Sequence, residues 1–305
     1  MKSDRLDSRV IAVTGATSGV GYFIAEQLAG LGAEVIVIGR SEARARAAIE
    51  LLPHPHRHHS LLADLDDVES VRSAGGRLAE LDRLDGLVLN AGVVTPARTL
   101  RIGPFGIEQT MGVNHLAHAE LLRHALPALE RSAAARVVHM GSFVTEKYPF
   151  DRSDWLSVRD YRPRIAYTNS KHAVQLFGFE LARRLEERGH SSTSIVVHPG
   201  AAIDALTSDR PGVHQRSTLQ RAAAAVIGPL FSRIVTGKQN AAQSAVLAAS
   251  APTLPPMAYI GPERREVGTP RRVPAPAISL DPELGAFIWG ETESLIGNPI
   301  FTTGD

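Results

Sequence analysis

A tyrosine and a lysine four residues apart, Tyr167 and Lys171, are the side chains in this sequence whose types and spacing suit proton transfer. Within a helical pattern the two share one face, about one turn apart. A free phenol titrates near about 10, and a nearby ammonium favours the phenolate, which lowers the pKa of the tyrosine. A phenol with a lowered pKa can exchange a proton with a substrate oxygen near neutral pH. Because the same spacing is common on solvated helix faces, the pair needs support from other motifs.

A glycine-rich segment near the N-terminus joins a buried type of strand to a helical pattern. Gly15 permits a tight turn, and Gly19 and Gly21 let the backbone approach a phosphate or a neighbouring element. The first amides of the helix and its dipole then favour phosphate oxygens. We therefore expect this loop to hold the pyrophosphate of a dinucleotide cofactor. Its predicted cofactor-binding residues are Gly15, Thr17, Ser18, Gly19, Val20 and Gly21.

Composition and charge exclude several other classes of protein. The chain has 305 residues, 33 basic and 32 acidic, and no cysteine. The near-neutral balance gives no electrostatic argument for a nucleic-acid partner, and the missing cysteines exclude disulfides and cysteine-ligated metals. The N-terminus is charged where a signal peptide would be apolar, and the longest apolar stretch, Ala222 to Phe231, is about half a membrane span. We expect a cytoplasmic enzyme with a small-molecule substrate, no nucleic-acid partner and no membrane span.

Short apolar runs alternate with helical patterns, which predicts βαβ units and a Rossmann-type, doubly wound parallel α/β sheet. We predict one NAD(P)-binding domain over residues 1–305, with a core of about 8–262 and an extension, 263–305, packed on it as a C-terminal cap. The seven predicted strands are Arg9–Val13, Glu34–Ile38, His59–Leu62, Gly86–Leu89, Arg136–Met140, Ser194–Val197 and Met257–Ile260. The later predicted helices are about Gly106–Glu130, Thr168–Arg188, Ala241–Ala249 and Glu283–Ile296.

Several motifs resemble those of the short-chain dehydrogenase/reductase superfamily, in the family's order. The loop TGATSGVG resembles its TGxxxGxG fingerprint, residues 90–92 its NAG motif, residues 113–116 the VNHL segment of the retinol-dehydrogenase-like branch, and residues 198–200 its HPG turn. The resemblance implies that the NAG motif stabilises the sheet under the cofactor and that the acidic residue after the third strand meets the adenine. The cofactor residues that it adds are Asp64, Leu65, Asn90, Ala91, Gly92, Tyr167, Lys171, Pro199 and Gly200.

The same resemblance assigns catalytic roles to four residues. It implies that Tyr167 exchanges a proton with the substrate, that Ser142 orients the substrate oxygen, and that Lys171 binds the nicotinamide ribose and tunes the tyrosine. Asn114 matches an asparagine that holds a water in a proton relay; an interior asparagine that bonds to nearby backbone is the alternative. The family's motif usually reads Ser-Ser at the serine, whereas this chain has Gly141 before it.

The end of the second predicted strand bears on the choice of cofactor. NAD enzymes of this architecture place an acidic residue there to bind the ribose 2′-hydroxyl. This chain has Arg40 and Ser41, which offer a guanidinium fork and a hydroxyl to a 2′-phosphate. We therefore predict NADP in preference to NAD, with Glu42 facing solvent.

Three segments carry open or discounted interpretations. Residues 143–166 form an aromatic-containing insertion between the serine and the tyrosine, and we expect either an apolar substrate wall or a simple cover of the sheet edge. Residues 206–235 follow the HPG turn and would form a substrate lid by their position. The histidines of the segment PHPHRHHS lie between prolines without a carboxylate, so we predict no metal site there. Asp204 is expected to point away from the pyrophosphate.

Taken together, the motifs predict an NADP-preferring oxidoreductase that transfers a hydride between its cofactor and the carbonyl or alcohol of an apolar small molecule. One alternative resembles protochlorophyllide reductase, a double-bond reductase whose mechanism leans on a cysteine that this chain lacks. The other is a non-catalytic NADP-binding homologue, which would not need all four catalytic residues. The resemblance also makes a homodimer through the two long helices one possibility, and a tail after Gly261 that covers this surface is the alternative.

Overall fold

A computed structural model describes residues 5–215, 217 and 234–301. Its described strands form one sheet in the order β3-β2-β1-β4-β5-β6-β7-β8, in which the first seven are parallel. The predicted fold class and the seven predicted parallel strands are confirmed, with shifts of at most two residues at their ends. The strands are β1 Val10–Thr14, β2 Glu34–Gly39, β3 His59–Leu62, β4 Gly86–Leu89, β5 Arg136–Met140, β6 Thr193–Val197, β7 Tyr259–Pro262 and β8 Pro270–Arg272.

An eighth strand, which was not among the seven predicted, lies in the extension after residue 262. β8 pairs antiparallel with β7, so that Arg272 lies opposite Ile260 and Arg271 opposite Gly261. Its three residues show neither alternating polarity nor β-branched side chains, so no local pattern marks them as a strand. The strand forms because the otherwise open edge of β7 supplies backbone hydrogen-bond partners.

The described helices lie on both faces of the sheet. They are α1 Gly19–Gly30, α2 Glu42–Glu50, α3 Val68–Ala79, α4 Gln109–Met111, α5 Ala117–Glu130, α6 Pro163–Glu187, α7 Lys238–Ala241, α8 Gln243–Ser250 and α9 Pro282–Ile296. Along β1, Ile11 and Val13 pack with α1 and α8, whereas Ala12 packs with α3, α5 and α6. Both faces of the central strands are therefore buried, which explains their continuous apolar runs.

The predicted helix over Gly106–Glu130 is wrong at its start and is not continuous. Phe105 and Gly106 have left-handed backbone with φ of 61° and 72°, which no helix contains. Helix α4 begins at Gln109, where the carboxylate of Glu108 caps it by accepting two backbone amides. A single wide π turn over residues 112–116 then joins α4 to α5. Such turns concentrate at functional sites, and this one contains Asn114.

Helix α9 packs along α6 and supplies the predicted cap. Trp289 stacks on Phe177 of α6 with ring centroids 5.0 Å apart, and Phe301 stacks on Trp289. All three rings are buried in the same apolar core as α5. None of the described helices is both long enough and apolar enough to cross a membrane. The apolar stretch Ala222 to Phe231, and most of the segment predicted as a lid, lie outside the described residues.

Candidate active site

The carboxyl ends of the parallel strands open into an elongated cleft made of two connected cavities of about 330 Å³ and 350 Å³. The cavities share Gly15, Ser18 and the turn 91–93; one extends to Arg40, and the other to Tyr167 and Lys171. Of the predicted cofactor residues, those that line the cleft are Gly15, Thr17, Ser18, Gly19, Val20, Gly21, Arg40, Ser41, Asp64, Leu65, Asn90, Ala91, Gly92, Tyr167, Lys171 and Pro199. Gly200 and Ser142 follow the lining residues Pro199 and Gly141, and Asn114 accepts a hydrogen bond from the amide of the lining residue Val93.

The glycine loop has the geometry of a phosphate-binding turn. Gly15 and Gly19 have φ of 68° and 60°, a backbone conformation that favours glycine. A Cβ added at Gly21 would overlap the carbonyl of Gly15 and the side-chain amide of Asn90. The first turn of α1 therefore lies directly on the loop, no side chain caps it, and its residues Gly19, Val20 and Gly21 line the cleft. These residues fit the pyrophosphate of a dinucleotide.

Strand β1 holds the turn 90–92 through a single threonine. The Oγ1 of Thr14 accepts the backbone amides of Asn90 and Ala91 at 2.9 Å and 3.0 Å. The side chain of Asn90 returns a hydrogen bond to the carbonyl of Thr14 at 2.9 Å. The first two residues of the turn are thereby fixed against β1, next to the glycine loop.

The contacts of His118 determine its tautomer. Its Nδ1 lies 3.1 Å from the carbonyl oxygen of Asn114, which can only accept, so Nδ1 carries the proton. Its Nε2 therefore accepts the Thr14 hydroxyl at 3.0 Å. Burial and the charge of Lys171 lower the pKa of His118 to about 4, which keeps the ring neutral. The neutral histidine thus connects the π turn to the strand that supports the cofactor loop.

Asn114 makes contacts that position its neighbours. Its Oδ1 accepts the amide of Val93 at 2.7 Å, and its Nδ2 donates to the carbonyl of Val93 and to the Ser170 hydroxyl. A Cβ added at Gly92 would lie only 2.7 Å from the same Oδ1. The side chain of Asn114 therefore connects the turn 91–93 to Ser170 of α6 by hydrogen bonds. Its predicted water-relay role stays a prediction.

Tyr167 and Lys171 face the same end of the cleft from α6. The ammonium of Lys171 donates to the carbonyl of Met140 at 2.8 Å and lies 5.9 Å from the centre of the Tyr167 ring. Burial lowers the pKa of Lys171 to about 8. Burial also raises the pKa of Tyr167, and a hydrogen bond with the Ser142 hydroxyl opposes this only in part. The expected lowering of the tyrosine pKa is thus not produced by the protein groups, because desolvation of the phenolate outweighs them.

Ser142 lies at the carboxyl end of β5, where its hydroxyl caps the short turn Phe143–Glu146 by accepting the amide of Val144. Its carbonyl accepts a 2.8 Å hydrogen bond from the buried amide of Gln175. A Cβ added at Gly141 would lie 2.8 Å from that same amide nitrogen. The side chain of Gln175 therefore fills the space beside the glycine that replaces the family's first serine. No sequence signal marked Gln175, since it lies within a helix and its partners are distant in the chain.

The adenosine end of the cleft contains one cation more than the sequence analysis proposed. Arg40 lines the cleft beside Ser41, whose hydroxyl caps α2 by accepting the amide of Arg44. Arg44 lines the same cavity. Glu42 forms a 3.0 Å ion pair with Arg46 and does not line the cleft, in line with its expected direction. Arg44 follows Arg40 by four residues and lies in the first turn of α2, and this position near the end of β2 is the signal that could have identified it.

The turn after β6 is held by the segment that joins β7 to β8. Gly200 has a φ of 71°, and a Cβ there would overlap the carbonyl of Glu266. The same carbonyl accepts the amide of Ala201 at 2.9 Å. Asp204 pairs with Lys238, which lines the cleft, and is not itself a lining residue. Its carboxylate is thus paired with a cation, and the expectation that it points away from the pyrophosphate stays a prediction.

The insertion 143–166 packs largely on the domain, and none of its residues lines the two cavities of the cleft. Trp155 is buried against Phe287, and the Tyr161 hydroxyl donates to the carbonyl of Ala97. These contacts favour the covering role among the two alternatives.

In the histidine segment, His58 bonds to the backbone of residues 35 and 53. Within the described part of the chain, no group of three potential ligands is arranged for a metal.

Comparison with known proteins identifies the family. The short chain dehydrogenase family model matches residues 9–209. Human retinol dehydrogenase 13 is 32% identical over 96% of this chain and 86% of its own length, and human retinol dehydrogenase 12 is 34% identical over 88% and 82%. The chain therefore belongs to the short-chain dehydrogenase family. It lies in the retinol-dehydrogenase-like branch and is an oxidoreductase of CH–OH or C=O groups.

Two solved structures resemble the whole fold. A protein from Mycobacterium paratuberculosis superposes with a TM-score of 0.78 at 26% identity, and covers 99% of this chain and 98% of its own. A short chain dehydrogenase from Burkholderia cenocepacia, solved in complex with NADP, gives a TM-score of 0.58 at 26% identity over 87% of this chain and 95% of its own. The first comparison includes the C-terminal extension.

Proposed function

We propose that this enzyme is an NADP-preferring oxidoreductase that interconverts the carbonyl and the alcohol of an apolar small molecule. The observation that carries this proposal is the convergence of Tyr167, Lys171 and Ser142 at one end of a dinucleotide-sized cleft. The other end supplies Arg40 and Arg44, which suit a 2′-phosphate. Two structurally similar proteins were solved with NADP, which supports the same choice.

The chain's own residues divide the work of proton transfer and positioning. The nicotinamide cofactor supplies or accepts the hydride when it is bound. Tyr167 donates its phenolic proton to the substrate oxygen during reduction and accepts one during oxidation. Ser142 orients that oxygen, and Lys171 binds the nicotinamide ribose. The positive charge of Lys171 favours the phenolate, although burial of the phenol outweighs it. Asn114 keeps α6 and the turn 91–93 in register.

We propose that the enzyme works in the cytoplasm as a single NAD(P)-binding domain. Any homodimer would have to use a face other than the side of α6 that Trp289 of α9 covers, together with Phe301 after that helix. A near-neutral net charge of +1 gives no surface argument for a nucleic-acid partner.

Replacement of Tyr167 by phenylalanine tests the proposed chemistry. Tyr167→Phe keeps the ring but removes the exchangeable proton, so turnover should fall at least about a hundredfold, as when a positioned acid or base is lost. Binding of NADPH should stay within about twofold, because the phenol is not needed to hold the cofactor. Turnover is followed as NADPH oxidation across a panel of aldehydes and ketones, and binding by calorimetry.

Tyr161→Phe is the matched control, since its hydroxyl donates to the carbonyl of Ala97 away from the cleft. It should retain most of the wild-type rate. If Tyr167→Phe also retains most of the rate on a good substrate, Tyr167 is not the acid.

The choice of cofactor is tested at Arg40. We expect the wild type to prefer NADPH over NADH, and Arg40→Ala to lose about 1.5–3 kcal/mol of NADPH binding, the range for a charged hydrogen bond. NADH binding should change little, because it has no 2′-phosphate. Calorimetric titration of both cofactors measures the effect, with Arg46→Ala as the control, since Arg46 pairs with Glu42 outside the cleft. Equal losses on both cofactors would contradict the assignment.

A further inference from the structure

A second cleft of about 520 Å³ lies between the end of β6, the turn after Ser142 and the β7–β8 hairpin. It shares no lining residue with the elongated cleft between Arg40 and Tyr167, which is called the cofactor cleft below. His198, the residue after β6, and Glu146 of the turn line this cleft, and residues 262, 263, 265 and 271–276 supply the remaining wall. The hairpin residues that matter for its chemistry are Glu263, Arg265, Arg271 and Arg272.

The buried wall of this second cleft contains an unpartnered polar atom. His198 is 1% exposed, and its Nδ1 has no hydrogen-bond partner among the described residues. The rings of Phe143 and Tyr259 pack on the imidazole at 6.2 Å and 5.2 Å. A buried polar group left without a partner costs about 1–3 kcal/mol. Because His198 lines this cleft, a ligand group that reaches its imidazole would satisfy the buried nitrogen.

The charges around His198 leave one cation available. Arg265 pairs with Glu146 at 2.7 Å, and Arg271 pairs with Glu263 at 3.2 Å. In the described ranges, no carboxylate forms an ion pair with Arg272, which lines the same cleft. Both acidic side chains of the wall are therefore already engaged, and the remaining guanidinium gives the cleft a positive charge. A guanidinium matches the planar, two-oxygen edge of a carboxylate or phosphate.

We propose that this second cleft binds the oxyanion of a small molecule, a carboxylate or a phosphate, with Arg272 as its cation and the His198 ring as its hydrogen-bond donor. The hairpin also holds the turn after β6 through the carbonyl of Glu266, and Glu146 lies on the turn that Ser142 begins. A bound oxyanion thus contacts two segments that border the cofactor cleft. It belongs either to the substrate itself or to a separate small anion.

The site is tested with inorganic phosphate at constant ionic strength, in protein saturated with oxidised cofactor so that phosphate cannot enter the cofactor cleft. The His198 ring resonance is followed by carbon–proton NMR and is assigned from its loss in His198→Asn. We expect a saturable shift in the wild type and a dissociation constant at least tenfold larger in Arg272→Gln. Arg264→Gln is the matched control, an exposed arginine of the same hairpin that does not line the cleft.

A shift that fails to saturate, or the same dissociation constant in all three proteins, overturns the proposal. Because the measurement uses no substrate and no turnover, its failure is distinct from failure of the proposed oxidoreductase function. A competition experiment distinguishes the two sources of the oxyanion, with displacement of bound phosphate as the quantity measured. Displacement of phosphate by 4-carboxybenzaldehyde, but not by benzaldehyde, supports the site as a substrate subsite, whereas retention of phosphate supports it as a separate anion site.

Discussion

Lys171 is a buried ammonium with little compensation from other side chains. Its hydrogen bond to the carbonyl of Met140 is 2.8 Å long, and among the described residues it forms no ion pair. Burial lowers its pKa to about 8, which still leaves most molecules charged at neutral pH. Burial of the charged lysine beside Tyr167 therefore lowers the free energy of unfolding at neutral pH, and such perturbed groups are common in active sites.

That cost predicts a pH dependence of stability. Between about pH 8 and 10.5 the folded lysine has lost its proton while the unfolded lysine retains it, so the unfolded state binds more protons and the free energy of unfolding rises with pH. Relative to Lys171→Met, the wild type should gain at most about 1.4 kcal/mol per pH unit in this window. Urea unfolding of both proteins at pH 7.5, 8.5 and 9.5 measures the difference.

Lys147→Met serves as the control, because Lys147 is 45% exposed and pairs with Glu266. Its stability should run parallel to the wild type across the same pH range. Parallel curves for Lys171→Met as well would show that the buried lysine does not titrate in the folded state below the unfolded value.

The residues of the site could be predicted where a local rule selects them. The glycines of the loop are set by backbone geometry, and Tyr167 with Lys171 by helical spacing. His118 and Gln175 could not be found in this way. Each acts through partners that are distant in sequence, and only the folded sheet brings these partners together.

At the scale of elements, Gln175 connects α6 to the turn after β5. Its amide nitrogen donates to the carbonyl of Ser142, and its Oε1 accepts the hydroxyls of Thr145 and Ser279. The side chain is fully buried. One glutamine therefore holds Ser142, its turn and the segment before α9 in a fixed arrangement.

Replacement of Gln175 by leucine should loosen this arrangement with little change in volume. Each buried partner left unsatisfied costs about 1–3 kcal/mol, so the free energy of unfolding should fall by several kcal/mol. We expect kcat to fall with the displaced Ser142 while the dissociation constant of NADPH stays unchanged. Urea unfolding, initial rates and calorimetry measure the three quantities.

Gln27→Leu is a suitable control, since Gln27 also donates its amide to a backbone carbonyl, that of Gln239, but far from Ser142. It should lose stability without a selective loss of kcat. A Gln175→Leu enzyme with the wild-type kcat would remove the positioning role.

Elements differed in how far the sequence predicted them. The parallel strands are buried on both faces, so their apolar runs are visible without any tertiary information. β8 consists of Pro270, Arg271 and Arg272 and depends on its neighbour strand. Helix α3 was not predicted because Gly75 and Gly76 interrupt its pattern, although Asp67 caps it clearly. The wide turn around Asn114 has no local signature.

At the scale of the whole molecule, three neutral histidines are buried together between the sheet and α5. Burial, and the charges that the rings would impose on one another, lower the pKa of His115 and of His139 to about 3. His118 has a pKa of about 4. In the folded protein these three histidines therefore stay unprotonated down to about pH 4, whereas in the unfolded chain each binds a proton below about pH 6.5.

This exclusion predicts a loss of stability in mild acid. Below pH 6.5 the unfolded histidines become protonated and the folded ones do not, so the free energy of unfolding decreases as the pH falls toward 4. Each histidine should contribute a loss of about 2 kcal/mol at pH 5. His139→Leu should reduce the loss by one proton's share, whereas His56→Gln, at an exposed position, should leave it unchanged. Urea midpoints at pH 7.5 and pH 5 decide this, and equal losses in all three proteins would contradict it.

The stacking of Trp289 on Phe177 also has a consequence for how the chain is made. At roughly 5–20 residues per second, the ribosome needs on the order of ten seconds to add the segment that separates these two rings. Throughout that time α6 is complete, but its apolar side has no covering helix. The apolar side of α6 is therefore exposed in the nascent chain and can aggregate with other chains. We expect a chaperone that binds exposed apolar surface to protect it until α9 has been synthesised.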